Sequence, residues 1–172
     1  MKAVWLTSQD LDRMAVPSEE LGKAVLLCQK FEATCKDIVS WFEIVRKLDE
    51  EKIEFLGDEY LSYVDKLHQF LLGESILTLR RNHGRIGISA DELSILNQAR
   101  ISRNWIVHRS GLEAVFANGE IDNEQLVFHI RKIARGDFLV SSWSYEFHEK
   151  DTCNWKVEQE YIEMIVRWVQ LI

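Results

Sequence analysis

After Pro17 the chain runs to the end of its 172 residues without another proline. Proline removes a backbone donor and clashes with the preceding helical turn, so a chain free of it is open to long helices. Apolar residues recur at helical spacing over most of that length, which predicts a mainly α fold, a helical bundle of about four to five helices. With 47% hydrophobic and 28% charged residues, positions 1–172 suit a single ordered domain that can bury a core without staples.

Ser18, followed by Glu19-Glu20-Leu21, reads as an N-cap and an acidic first turn opening a helix to about Asp49. Leu21, Val25, Cys28, Cys35, Val39 and Phe42 mark its apolar side, widened by further apolar residues enough to meet several neighbours. Gly57 precedes a second helix, about Asp58 to Leu72, with His68 on its apolar face as a satisfied core or boundary histidine. Residues 76–89 turn polar; Arg80, Arg81, His83 and Arg85 form either an anion-binding loop or a solvated connector, without phosphate-loop spacing. Asp91 to Gly111 predicts a helix of about five turns that Gly111 stops, and Asn118-Gly119 signals a turn. Residues 126–133 fit helix or strand, whereas alternation from Phe138 to Phe147 reads as strand. With Arg135-Gly136-Asp137 as the turn, a small β-hairpin insertion spans 126–147, before a last helix from about Trp155 to Ile172.

Three cysteines cannot all pair, and Cys28 and Cys35 stand about two turns apart on one helix, beyond disulfide reach. All three read as reduced thiols of a cytoplasmic protein. No cysteine or histidine cluster has metal-ligand spacing, no leader peptide stands out, and no apolar run approaches about 18 residues. No metal, cofactor or membrane association is therefore expected. The net charge of −7 argues against a general nucleic-acid binder. Yet Ile76 to Gly111 holds six basic and two acidic residues, a net +4, leaving −11 elsewhere. A basic island on an acidic body suits a focused anion site better than a long binding track.

Within that island, Arg100, Arg103, Asn104 and His108 lie amid Leu93, Ile95, Leu96, Ile101, Trp105, Ile106 and Val107. Polar groups on so apolar a helix cost free energy unless paired. At about 100° per residue, Arg100, Asn104 and His108 stack at successive turns, and Arg103 and His108 bound the polar sector about 140° apart. One helix thus offers a cation, an amide and an imidazole to one anionic ligand. Those groups suffice to cleave RNA without a metal. An imidazole takes the proton of a ribose 2′-hydroxyl or gives one to the departing 5′-oxygen. A guanidinium stabilises the charge growing on the phosphoryl oxygens. The competing reading pairs Arg103 with an acid such as Glu43 or Asp65 and leaves His108 satisfying a buried polar contact.

The run Arg103-Asn104-Trp105-Ile106-Val107-His108 resembles the hallmark of the HEPN superfamily (higher eukaryotes and prokaryotes nucleotide-binding domains). That hallmark is an arginine, four to six intervening residues and a histidine, commonly with Asn, Asp or His directly after the arginine. Asn104, the Ile106-Val107 pair before the histidine and the position late in an apolar helix make the match specific. It covers about 20 residues, and the rest of the chain agrees in fold class alone.

The resemblance implies a helical bundle whose homodimer brings two motif helices together, forming a composite, metal-independent endoribonuclease site that needs no cofactor and leaves 2′,3′-cyclic phosphate ends. On that implication Arg103 holds the scissile phosphate, His108 acts as acid or base and Asn104 keeps the geometry by hydrogen bonding. A second subunit supplies the second histidine that two proton transfers require. Arg100 and Arg109 match no hallmark position and enter as auxiliary RNA phosphate contacts on helix geometry alone. The implied partners are RNA, a second copy, and an antitoxin or other regulatory protein in a toxin–antitoxin or antiviral defence setting. Ser110 departs from the pattern: many such toxins carry there a tyrosine that an antitoxin modifies, so that route of silencing is not expected. The alternative is a catalytically silent HEPN-like module that binds a nucleotide or a protein in a regulatory or defence complex.

Overall fold

Helix α1 spans Ala15–Arg46 in a computed structural model that describes residues 15–110, 122–151 and 153–170, without the side chains of 15–17, 83, 85 and 86. Ser18 is therefore not the N-cap. The helix begins three residues earlier, and Pro17 falls in its first turn, where backbone N–H groups have no intrahelical acceptor to lose. Ala24, Leu27, Cys28, Phe31, Cys35, Ile38 and Val39 are buried along one stripe at spacings of three and four. A π turn, Lys47–Glu51, ends the helix, and Lys52 closes it in the left-handed conformation at φ 53°.

The segment expected to hold one helix and a polar connector holds two helices, α2 (Asp58–His68) and α3 (Leu72–Ile86). Helix α2 gives the core only Leu67, and His68 is exposed at its C-terminal end, outside the apolar contact. Helix α3 forms because Leu72, Ile76 and Leu79 supply a buried face at helical spacing. The neighbouring arginines Arg80 and Arg81 belong to its solvated side. Glu43 ties the three helices together. Its buried carboxylate accepts from Arg46 on α1, Tyr63 Oη on α2 (2.7 Å) and Asn82 Nδ2 on α3 (3.1 Å). Burial, then that carboxylate, pushes the Tyr63 hydroxyl up to about 12.

Gly87, at φ 73°, ends α3, and α4 (Ala90–Trp105) starts three residues later. Ser89 caps it reciprocally: its hydroxyl accepts from Glu92 N (3.2 Å) while the Glu92 carboxylate accepts from Ser89 N (2.7 Å). The acidic pair Asp91-Glu92 does open the helix, but the cap is Ser89. The helix then widens into a π turn, Ile106–Ser110.

Helix α5 (Asn123–Glu149) replaces the expected hairpin at 126–147. Seven of the eight residues from Ile133 to Val140 are buried, Arg135 being the exception, because α5 packs against α1, α4 and α6 at once. A helix enclosed on several sides loses its single polar stripe, and its β-branched and aromatic residues then mimic a strand. Gly136 is no turn residue either. A Cβ there would stand 2.5 Å from Ala99 Cβ on α4 and 3.2 Å from the Phe31 ring on α1, so glycine lets three helices meet. One residue on, the fully buried Asp137 carboxylate accepts from Lys30 Nζ of α1 (2.6 Å) and from Tyr161 Oη of α6. A 3-10 turn, Trp155–Val157, leads into α6 (Glu158–Gln170), whose Ile162, Val166 and Val169 complete the core.

The described residues thus form a mainly α bundle of six helices, one above the expected range because the second expected helix and the connector became α2 and α3. No described helix is long and apolar enough to cross a membrane. The Gly111 stop and the Asn118-Gly119 turn lie outside the described residues.

Candidate active site

The π turn decides the geometry of the polar helix. In an uninterrupted α-helix, residues five apart lie about 140° from one another, on different faces. Here the regular helix ends at Trp105 and the chain continues as a π turn, Ile106–Ser110, so that Arg103 stands on the last α turn and His108 within the wider one. Arg103 Nη1 stands 3.5 Å from His108 Nε2 and 3.3 Å from Asn104 Oδ1. The three expected site residues are together, with Asn104 and His108 exposed.

Ser110 explains how the turn is held. It is buried, and its hydroxyl donates to the Ile106 carbonyl at 2.5 Å, back across the widened turn. On the opposite side, Ser102 and Trp105 face α5, where the His129 ring stacks on Trp105 (centroids 4.3 Å, 21°) and its Nδ1 lies 3.0 Å from Ser102 Oγ. The end of α4 is therefore clamped against α5 while Asn104 and His108 turn outward.

Arg103 is paired, though with neither Glu43 nor Asp65. Its Nη2 donates to Glu32 Oε2 on α1 at 2.7 Å, and Glu32 also faces Lys36 at 3.3 Å. Glu43 is taken up by Arg46, Tyr63 and Asn82, and Asp65 is exposed on α2. His108 likewise makes no buried contact, since its side chain lies at the surface. The guanidinium is divided in use. One edge is anchored to Glu32 by a short bond, the other makes two long contacts to Asn104 and His108, and Nε is buried without a hydrogen-bond partner. A short charged bond fixes the group, whereas long contacts yield readily to a better acceptor.

Sequence reasoning missed Glu32 and His129. Glu32 sits four residues after Cys28 and three before Cys35, an acid on the apolar stripe of α1, and that position was a usable signal. Its field and that of Arg103 both reach Cys28, whose thiol burial pushes up to about 12. His129 lay in a stretch whose secondary structure the pattern did not decide.

The remaining expected residues are not part of this group. Arg100 donates to Asn97 Oδ1 from Nε (3.3 Å) and Nη2 (3.1 Å) and lines a groove between α3 and α4. Arg109 is exposed on the π turn beyond His108. Arg80 and Arg81 lie on α3, not on an anion-binding loop. Among the described residues no group of three or more His, Cys, Asp or Glu side chains is placed to hold a metal ion. Compared with protein-family models, curated proteins and solved structures, the chain matches none of them.

Proposed function

We propose that the Arg103–Asn104–His108 group is the working half of a metal-independent endoribonuclease site of the HEPN type. The observation that carries the reading is the shared geometry: an amide and an exposed imidazole, each within 3.5 Å of the same guanidinium nitrogen, where the α-helix passes into the π turn that holds the histidine. A phosphodiester displacing the two long Nη1 contacts would accept from Arg103 and lie beside His108. Arg103 would then stabilise charge on the non-bridging oxygens as the 2′-oxygen attacks phosphorus and the 5′-oxygen departs. His108 would take the 2′ proton or return one to the leaving group, and Asn104 would keep both in register. One imidazole cannot be base and acid at once, so the reading calls for a second copy of the chain with its π turn at the same phosphate.

The test is chemical. Purified protein is incubated with end-labelled single-stranded RNA in EDTA, beside the same strand carrying 2′-deoxyribose. Cutting of the ribose strand alone, with 2′,3′-cyclic phosphate ends, is the expected outcome; equal cutting of the deoxy strand, or 5′-phosphate ends, would refute 2′-hydroxyl attack. One observation favours a second reading, a silent binding module: the Arg103–Glu32 ion pair also joins α1 to α4 and would do so without catalysis. In that case no RNA is cut, and RNA or nucleotide binding alone depends on Arg103. The setting implied by the motif, a toxin or defence ribonuclease held by a regulatory protein, goes with the enzymatic reading.

A further inference from the structure

One helical turn before Asn104, Arg100 joins Ile76, Leu77, Arg80, Leu93 and Asn97, with the smaller Gly73, Ala90 and Ser94, in lining an open groove of ≈520 Å³ between α3 and α4. That volume lies in the range of small-molecule sites, which combine apolar walls with a few convergent polar groups. Here Ile76, Leu77 and Leu93 give the apolar wall, and Arg80, Arg100, Asn97 and Ser94 give the polar groups.

None of the residues lining this groove is acidic. Four other surface grooves each carry at least one carboxylate: Glu43 in two of them, Glu160 and Glu163 in the third, Glu124 in the fourth. On a chain of net charge −7, two arginines and no carboxylate among the lining residues favour an anion. The Arg100 guanidinium is also oriented in advance, since Nε and Nη2 both donate to Asn97 Oδ1. An apolar wall takes the face of a flat ring, and a held guanidinium takes a phosphate.

We propose that this groove binds one nucleotide unit, its base against Ile76, Leu77 and Leu93 and its phosphate between Arg80 and Arg100. Asn104 follows Arg100 by one helical turn, about 6 Å along the axis, so a strand leaving the groove passes next to Arg103 and His108. The nucleotide is either free or the one flanking the phosphate held by Arg103. The latter case rests on the ribonuclease reading; the groove itself does not.

The test measures binding to His108→Ala protein, so that cleavage plays no part. Two probes are used by fluorescence anisotropy: a fluorescent adenosine monophosphate and a labelled 12-nucleotide single-stranded RNA. Gly73→Leu is the blocking variant, because Gly73 lines the groove and a Cβ there meets nothing within 4 Å. Arg80→Ala removes the charge. A melting temperature equal to that of the parent confirms folding of each.

If the site takes free nucleotide, both variants weaken the monophosphate about tenfold or more, the value of a lost charge-assisted hydrogen bond. If it takes the flanking nucleotide of a strand, RNA weakens by that factor, and Arg80→Ala lowers the salt slope of RNA binding by about 0.7. A purely structural role for Arg80 would leave that slope unchanged. Unaltered binding of both probes in both variants overturns the proposal, even if wild-type protein cuts RNA; failure of either probe to bind the parent at all does the same for its source.

Discussion

Replacing Gly136 by alanine tests the helix packing that carries the site. The new Cβ would stand 2.5 Å from Ala99 Cβ and 3.2 Å from the Phe31 ring. Ordinary carbon contacts lie near 3.5–4 Å, so α4 and α5 must separate by about 1 Å. Neither Gly136 Cβ nor Ala99 Cβ can rotate away, because each is fixed to its backbone. Overpacking of this kind costs about 1–3 kcal/mol, and the better helix propensity of alanine returns about 1. The upper part of the range applies to two immobile atoms, giving a net loss of about 2 kcal/mol. For a chain of this length that is a fall of about 4–8 °C in Tm, followed by far-UV circular dichroism. Gly22→Ala is the matched control. Gly22 is exposed on α1 and its Cβ would meet nothing within 4 Å, so the same change there raises stability by about 0.5–1 kcal/mol. Adding Ala99→Gly to Gly136→Ala removes the clash and recovers most of the loss, a coupling that independent sites would not show. If Gly136→Ala melts with or above wild type, the close approach of α4 and α5 is wrong, and with it the placement of the π turn.

Further outcomes follow from single contacts. Glu32→Gln leaves the half-buried Arg103 guanidinium without its counter-charge, lowering the urea midpoint by the equivalent of about 1–2 kcal/mol; an unchanged midpoint would show the pair to be idle. Lys30→Met strips the buried Asp137 carboxylate of its cation, and loss of about 2–3 kcal/mol is expected because Lys30 is half-exposed; a neutral result would contradict the burial of Asp137. Burial pushes the Cys28 thiol up to about 12 and raises Cys35 as well. Both stay protonated in the folded protein while the unfolded thiols ionise from about pH 9. Stability is therefore unaffected by them below pH 9 and falls as pH rises from 9 towards 12. For the same reason the half-buried Cys153 alone reacts with a disulfide reagent in native protein at pH 8, and all three react in urea; two or more native reactive thiols would refute the burial.

The long helices were legible wherever one face of the chain meets one core. The stripe from Ala24 to Val39 and the run ending at Val169 carry helical spacing openly. The reading failed at α5 because enclosure by three helices removed the polar stripe on which period recognition depends, and at α3 because adjacent arginines masked three well-spaced leucines and isoleucines. At the site, Arg103, Asn104 and His108 were visible as a set, but the ideal helical angle separated the two catalytic candidates. His108 stands in a π turn, and hydrogen bonding of that kind leaves no periodic mark in a sequence. Glu32 stood out as an acid on an apolar stripe, but its pairing did not, because 71 residues separate it from Arg103.

The most direct measurement is the rate of RNA cleavage in EDTA by wild type beside Arg103→Ala and His108→Ala, each shown folded by its melting curve. Removal of a general acid or base costs about 10²–10⁴ in rate, so both variants should fall at least about 100-fold below wild type. Wild-type cutting retained in either folded variant would place the activity away from this turn and contradict the account.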